Sequence, residues 1–212
     1  MVLRRLLDVG INNLANLMHD MSKIAQECVN VAIDSYLEDK DVVNYVYSKA
    51  QELTMLKDEV NDLAIELMIR YQPLASDLRY ISSCIEIAYD FVRFARYAYD
   101  IAQVRAQFGN LDVCDKSTIA TMAKIVNDML ANSINAFNNK DINLAKRLIE
   151  MDDDVDSLYK ESLNAMIKSS KDVDIRCILA NLLVIRYLER IADHAVYIGE
   201  MVRYIVSGER VR

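Results

Sequence analysis

Glycine and proline are scarce in this sequence, with 4 Gly and 1 Pro among 212 residues. Soluble domains carry roughly 12% of the two together. A β-sandwich or barrel needs a turn roughly every 8–12 residues, usually built on Gly, Pro, Asn or Asp. The composition therefore argues against an all-β architecture and favours a few long helices. Its 53% hydrophobic and 27% charged residues exclude an intrinsically disordered chain.

Long apolar runs are also missing. The stretch from Cys177 to Ile185 is interrupted by Asn181 and flanked by two arginines, well short of the roughly 20 residues that a membrane helix needs. The first residues include arginines but no apolar core followed by a cleavage site. We therefore expect no membrane span and a cytoplasmic location. A net charge of -7 argues against direct binding of nucleic acid, because proteins that bind nucleic acid generally present a basic face.

Catalytic signatures are sparse. The sequence has no Gly-rich phosphate-binding loop, no H-E-x-x-H and no G-x-S-x-G. Only His19 and His194 could act as acid–base groups near neutral pH, and neither follows a Glu by three residues as a ferritin-like di-iron site requires. The four cysteines have no C-x-x-C spacing and are interpreted as buried small apolar residues: Cys28, Cys84, Cys114 and Cys177.

Apolar residues recur at helical spacing through six segments separated by polar breaks. The segment at residues 108–112 is the most loop-like and marks the middle of the chain. The predicted helices are a first ending near Glu38, a second ending before Pro73, a third from about Leu78 to Gln107 capped by Ser76 or Asp77, a fourth from about Ser117 to Asn138, a fifth ending near Ser169, and a sixth from about Asp172 to Val206.

The second half of the sequence repeats the plan of the first. Residues 40–41 match 140–141, residues 59–60 match 154–155, and residues 100–102 match 197–199. Matched breaks and matched polar pairs indicate an internal duplication. The sequence therefore predicts an all-α protein of two similar three-helix bundles, residues 1–110 and 111–212.

Two pairs of acids are spaced so that each lies on one helix face. Glu189 and Asp193 are four residues apart on the sixth helix, and Glu200 falls near the same azimuth. Asp152 and Asp156 have the same spacing on the fifth helix. Facing pairs of like charge are costly unless cations offset them, and all-oxygen sites suit Mg, Mn, Ca or Fe. The spacing therefore suggests a metal site.

Two other interpretations of charged residues stay open. The acids could form a solvated face neutralised by Lys160, Arg186 and Arg190, because a single E-x-x-x-D is common on helices. Glu86 and Asp90 form the same E-x-x-x-D motif, without an obvious second pair of acids to face them. A tyrosine-rich strip with two arginines could bind an anionic partner, although packing with arginine stems is the commoner explanation: Tyr89, Tyr97, Tyr99, Arg93 and Arg96.

Two motifs resemble one family. Residues 72–79, Q-P-L-A-S-D-L-R, are similar to the Q-P-x-A-x-D-L-R turn of the PhoU family of phosphate-signalling proteins, with Pro73, Asp77 and Arg79 as its characteristic residues. Residues 188–195, L-E-R-I-A-D-H-A, resemble that family's L-E-R-I-G-D-H-A. The resemblance covers about Met18 to Val206 and implies an all-α pair of three-helix bundles.

The resemblance also implies a function. PhoU proteins are cytoplasmic regulators, often dimeric, that restrain phosphate uptake by contacting a phosphate ABC transporter or its ATPase, and in many bacteria a signalling kinase. The family implies no catalysis. It implies an iron or zinc cluster on paired acidic motifs, with Mg or Mn as alternatives, held here by Asp152, Asp156, Glu189 and Asp193, and with Asp153 and Glu200 as additional ligands or groups that support one.

The first half departs from the family pattern. Val92 stands where the motif has Glu, and Arg96 where it has Asp. On the second helix the expected acidic positions hold Lys57 and Asn61, although a one-residue shift recovers two acids. Because a guanidinium cannot ligate a cation, we expect metal in the second repeat alone. Arg96 is expected to act as a counter-charge to one of three acids of the second helix, Asp58, Glu59 or Asp62.

The sequence therefore predicts a metal-binding regulatory adaptor in phosphate homeostasis, without enzymatic activity. Two alternatives stay open. One is a carboxylate-bridged metalloenzyme, which would need an open coordination position and a substrate cavity. The other is a purely structural helical scaffold.

Overall fold

A computed structural model describes residues 2–168 and 174–210, and within those residues all regular structure is helical. The six predicted helices are confirmed. They are α1 (Val2–Leu37), α2 (Val43–Tyr71), α3 (Ala75–Phe108), α4 (Ser117–Asn139), α5 (Ile142–Lys168) and α6 (Ile175–Ser207).

The helices form two similar groups of three, joined through α3 and α6. In the first group α1, α2 and α3 all contact one another, and in the second group α4, α5 and α6 do the same. Packing of α3 on α6 joins the groups, with a smaller contact between α1 and α4. The α3 and α6 helices therefore form the centre of the molecule, while α2 and α5 contact only helices of their own group within the described residues.

Several helix ends differ from the predicted ones. The first helix, for which the sequence predicted only the end, begins at Val2 and includes Gly10. Neither Ser76 nor Asp77 caps α3: the cap residue is Leu74, without a side-chain hydrogen bond, and Asp77 lies in the first turn. Extended backbone at Leu74 follows Pro73, which prevents α2 from continuing into α3.

The start of α6 also differs from the prediction. The predicted boundary residues Ser169 and Asp172 lie outside the described residues. The described part of α6 begins at Ile175, and Asp174 caps it by accepting a 2.9 Å hydrogen bond from the Arg176 backbone N–H. An aspartate at this position satisfies one of the free amide donors at a helix start.

Cys114 and Cys177 correct the interpretation of the cysteines. All four are buried, as predicted, but these two form a disulfide with Cα atoms 5.3 Å apart, while Cys28 and Cys84 are free. The partners are 63 positions apart in the chain, so no local spacing could indicate the bond. Tertiary packing brings the α3–α4 linker against the first turn of α6.

The same linker is fastened to α1 and α6 by hydrogen bonds. Lys116 Nζ donates to the Tyr36 carbonyl oxygen at 2.7 Å, which satisfies a free acceptor at the end of α1. Asn181 of α6 donates from Nδ2 to the Asp115 carbonyl at 2.8 Å and accepts from the Tyr36 hydroxyl at 2.8 Å. These bonds fix the junction between the two groups of helices.

Among the described residues, no helix combines the length and the apolar character that crossing a membrane requires.

Candidate metal centre

The four predicted ligands lie on the two helices that pack together in the second group. Asp152 and Asp156 belong to α5, and Glu189 and Asp193 belong to α6. Their charges act on one another across the interface, since Asp193, Asp156 and Glu189 all raise the pKa of Asp152. We call these four residues the acid cluster.

Burial and mutual repulsion weaken the ionisation of two members. Burial and then the charges of the other acids raise the pKa of Asp152 from 3.8 to about 6. Burial and then Asp193 raise the pKa of Glu189, whose side chain is almost fully enclosed. The surroundings of the cluster therefore disfavour the ionised forms of Asp152 and Glu189.

Basic side chains offset part of that charge. Arg186 donates from Nη1 to Glu189 Oε1 at 2.5 Å, and Arg190 donates from Nη1 to Asp193 Oδ2 at 3.1 Å. Lys160 donates to Asp156 Oδ2 at 2.9 Å from the exposed side of α5. These are the three basic residues that the sequence analysis named as neutralising a solvated acidic face. Their contacts agree with that interpretation as well as with a metal site.

Two oxygen atoms in the cluster lack hydrogen-bond donors. Asp152 Oδ1 and Glu189 Oε2 are both buried and accept no hydrogen bond, while Arg190 Nε lies 3.7 Å from Glu189 Oε2 as an ion-pair partner. A buried acceptor without a partner costs free energy that a bound cation would recover. No group of three or more Asp, Glu, His or Cys side chains in the described parts of the chain is already arranged to hold a metal ion. These two oxygens and the other carboxylates of the cluster are ligands of the kind that a hard or borderline metal prefers. The side chains of the cluster would have to move closer together to coordinate one ion.

Asp153 and Glu200 occupy outer positions. Asp153 is exposed on α5, where its charge adds slightly to the pKa shift of Asp152. Glu200 is half-buried on α6, and Gly199 beside it lets α6 approach α5 closely. A Cβ at Gly199 would lie 3.0 Å from the Ala145 carbonyl oxygen.

The corresponding place in the first repeat holds no acid cluster. Val92 and Arg96 of α3 border a small cavity of about 110 Å³, whose α2 wall includes Ala50, Gln51 and Thr54. None of these five side chains carries a carboxylate. The residues that border this cavity therefore cannot form a group of carboxylates like the acid cluster of the second repeat.

Arg96 does not pair with an acid of α2, contrary to the sequence prediction. Its Nε lies 3.3 Å from Asp100 Oδ1 on the same helix, and its guanidinium lies over the Tyr99 ring. Asp58 pairs instead with its neighbour Lys57 at 3.0 Å. A partner four residues away on the same helix requires no reach across the interface, which explains the difference.

Asp90 and His194 form a buried pair that the sequence analysis missed. Asp90 is 1% exposed, and its Oδ1 lies 2.7 Å from His194 Nδ1 across the α3–α6 interface. Burial raises the pKa of Asp90 to about 6, although the histidine opposes the shift. Across the same interface the Tyr197 hydroxyl lies 3.5 Å from Glu86 Oε2, so Glu86 and Asp90 face a tyrosine and a histidine of α6.

The contact between Asp90 and His194 has a counterpart related to it by the internal repeat. The offset of 97 residues that relates residues 100–102 to 197–199 also relates Tyr97 to His194 and Asp90 to Tyr187. Tyr97 and Tyr187 stack with ring centroids 6.2 Å apart, so an aromatic contact is the repeat-related counterpart of the hydrogen-bonded pair Asp90–His194.

The tyrosine strip is mainly a packing feature. Arg93 lies over the Tyr97 ring with 4.6 Å between the guanidinium carbon and the ring centroid, and also donates to the Tyr97 hydroxyl. Tyr99 packs against Tyr47 of α2 at 5.4 Å. These contacts agree with arginine stems packed on aromatic rings.

The predicted turn motif fastens helix ends. Pro73 is buried between α2 and α3, and Asp77 forms an ion pair with Arg4 near the start of α1. Arg79 donates from Nε to the Ile205 carbonyl oxygen at 3.2 Å, which satisfies an acceptor near the end of α6. The motif therefore connects three helices and lies on different elements from the acid cluster.

Comparison with known proteins identifies relatives along nearly the whole chain. A PhoU domain model matches residues 18–104 and again residues 119–202. The phosphate-specific transport system accessory protein PhoU homolog 1 of Methanothermobacter thermautotrophicus is 28% identical over 205 residues, covering 93% of this chain and 94% of that protein. The corresponding homolog of Synechocystis is 31% identical over 164 residues, covering 76% and 72%.

Solved structures share the fold. The crystal structure of PhoU from Pseudomonas aeruginosa superposes with a TM-score of 0.86 at 24% identity, covering 95% of this chain and 99% of that one. The phosphate transport system regulatory protein PhoU from Streptococcus pneumoniae gives the same TM-score at 22% identity, covering 97% and 99%. Since the domain model matches each three-helix group and together these matches span most of the chain, the chain belongs to the PhoU family.

Proposed function

We propose that this chain is a regulatory accessory protein of a phosphate transport system. Its relatives carry that description, and the domain match to both repeats is the observation that supports it. The chain is proposed to act in the cytoplasm, as a homodimer, by binding a phosphate ABC transporter or its ATPase, with a signalling kinase as a second partner. It acts by binding and not by catalysis.

Loss of the gene tests this regulatory role. Cells lacking the protein should take up labelled phosphate at a higher rate under phosphate-replete conditions, because the transporter is released from restraint. An epitope-tagged copy should recover transporter subunits from replete cells. Unchanged uptake together with a pull-down that contains neither transporter nor signalling components would contradict the proposal.

We further propose that the acid cluster holds iron or zinc, or else Mg or Mn. Two buried oxygens that accept no hydrogen bond, Asp152 Oδ1 and Glu189 Oε2, support this assignment. Asp156 and Asp193 would supply further oxygen ligands, and Asp153 and Glu200 would support the site from its edge. A bound cation would neutralise the repulsion within the cluster and so hold α5 against α6.

Two variants test the location of the metal. Glu189→Ala combined with Asp193→Ala should abolish essentially all specific binding of zinc or iron, measured by elemental analysis of the purified protein. Arg96→Asp should leave that binding unchanged, because Arg96 belongs to the repeat without an acid cluster. Equal metal content in the double variant and the parent protein would overturn the assignment, and oxygen-dependent redox turnover would favour the metalloenzyme alternative.

A further inference from the structure

The Cys114–Cys177 disulfide lies where the two repeats join. It connects the α3–α4 linker to the first turn of α6, and its partners are 63 positions apart. The loop that it closes therefore contains the whole of α4 and α5. The bond constrains every helix of the second repeat, including the two that carry the acid cluster.

Other contacts also fasten the linker near this point, including the packing of buried Leu111 in the core. Asn181 bonds the Asp115 carbonyl, and Lys116 bonds the end of α1. Beside the disulfide lies a cavity of about 260 Å³, bordered by Cys177, Ile119 and other residues of α4, α5 and α6. The disulfide adds a covalent attachment between the linker and α6 to the hydrogen bond of Asn181, and the cavity brings solvent close to Cys177.

The two pairs of cysteines differ in how reagents can reach them. Cys28 and Cys84 are completely buried within the core, and burial raises the pKa of each thiol to about 12. Such thiols stay protonated and unreactive. Cys114 and Cys177 retain 8% and 7% exposure, and Val113 beside Cys114 is 79% exposed. Cys114 and Cys177 lie at the edge of the core, so a local opening of the linker uncovers the disulfide while Cys28 and Cys84 stay enclosed.

We propose that Cys114 and Cys177 form a thiol–disulfide exchange site whose redox state determines whether the linker is attached to α6. The reductant is a small thiol of the glutathione class. Disulfides persist in oxidising compartments, whereas those in reducing compartments are mostly transient and redox-sensing. In a cytoplasmic protein, as proposed above, this bond belongs to the second class.

The exchange proceeds in two balanced steps. The small thiolate attacks Cys114 Sγ, the protein S–S bond breaks, and Cys177 leaves as a thiolate, which is stabilised at the first turn of α6 by the helix dipole. A second small thiolate then attacks the mixed disulfide, releasing Cys114 and one molecule of small disulfide. Two small thiols are oxidised, and the protein takes up two electrons and two protons. The reverse reaction with the small disulfide restores the bond.

The redox state of the intact chain tests the proposal directly. The protein is equilibrated in buffers of reduced and oxidised glutathione, quenched with an alkylating reagent while folded, and analysed by mass spectrometry. We expect Cys114 and Cys177 to be alkylated only after reduction, and Cys28 and Cys84 in neither buffer. Reduction should lower the melting temperature by about 5–15 °C, because a closed loop of this length is lost from the unfolded state.

Variants separate an exchange site from a permanent structural bond. Cys114→Ser should melt like the reduced parent and no longer respond to the buffer, whereas the control Cys28→Ala should keep the full response. A pair that stays oxidised in the folded protein at thiol concentrations that reduce the unfolded chain would overturn the proposal. Failure of oxidised glutathione to form the bond would also overturn it, and both results come from the parent protein even if a variant does not fold.

Discussion

Asp152 is a residue of the acid cluster whose ionisation is opposed by burial and by neighbouring charges. Its carboxyl is partly withdrawn from water, and four other acids act on it. Its pKa of about 6 shows that holding this group ionised costs free energy in the metal-free protein. A metal ion bound there would stabilise the ionised carboxylate and so remove this cost.

Replacing the Asp152 carboxyl should change the stability of the metal-free protein and its affinity for zinc in opposite directions. Asp152→Asn should raise the free energy of unfolding of the metal-free protein at pH 7 by about 1 kcal/mol, allowing for solvent screening, because it removes one of the repelling charges. The same change should weaken zinc binding. Urea unfolding with and without zinc measures both effects. The control Asp153→Asn changes an exposed neighbour and should alter each by much less.

Individual residues also show where sequence analysis stops. The spacing of Asp152, Asp156, Glu189 and Asp193 predicted two facing pairs, because helical periodicity determines which residues share a face. Asp90 carried the same type of spacing, yet its partner lies 104 positions away on another helix. Packing of α3 on α6 decides that contact, and no local pattern encodes it.

At the scale of elements, Gly199 controls the distance between α5 and α6. A Cβ there would meet the Ala145 backbone oxygen at 3.0 Å and Leu148 Cδ1 at 2.9 Å. The backbone oxygen cannot rotate away, so an added methyl group must push the helices apart. The acid cluster spans the same interface, so its geometry depends on this close approach.

A pair of glycine substitutions tests that dependence. Gly199→Ala should lower the free energy of unfolding by about 1 kcal/mol more than Gly10→Ala and should also weaken zinc binding. The matched control also lies inside a helix, so the gain in helix propensity is the same. An alanine there would meet atoms of the Leu67 side chain and not a backbone atom as its nearest neighbours. Equal effects on stability and no effect on zinc binding in either variant would contradict this role of Gly199.

The helices themselves were largely predictable from the sequence. Polar breaks and Pro73 located the six helices because few residues other than Gly, Pro and short polar side chains interrupt a helix. The cap of α3 was wrong because Ser76 and Asp77 are good capping residues at a place where Pro73 and Leu74 already determine the start. The disulfide and the partner of Arg96 were missed because tertiary contacts and competing neighbours determine them.

For the whole molecule, pH should control how much a metal stabilises the fold. Asp152 has a higher pKa in the folded protein than its ordinary 3.8, so its contribution to stability is present below about pH 4 and is lost as the pH rises through about 6. Metal requires the ionised carboxylate and therefore competes with the proton. Stabilisation by metal should be largest above pH 6 and should decrease in more acidic solution.

Thermal unfolding measures this competition. The difference in melting temperature between zinc-loaded and metal-free protein should shrink as the pH is lowered from 7 to 5, with affinity falling by about tenfold per unit for each proton displaced. The Glu189→Ala, Asp193→Ala double variant should show no zinc-dependent difference at either pH. A zinc effect that is independent of pH would mean that Asp152 is not a ligand.

The outer position of α2 and α5 has a consequence for how the duplicated halves can differ. Each of these helices contacts only its own repeat within the described residues, so a substitution on α2 leaves the packing of α5 unchanged. Lys57 on α2 could therefore replace an acid in one half without disturbing the carboxylates of the other. Duplication in this fold supplies two compartments that can diverge separately, one retaining an acidic site and the other free to lose it, while the shared α3–α6 contact preserves the whole.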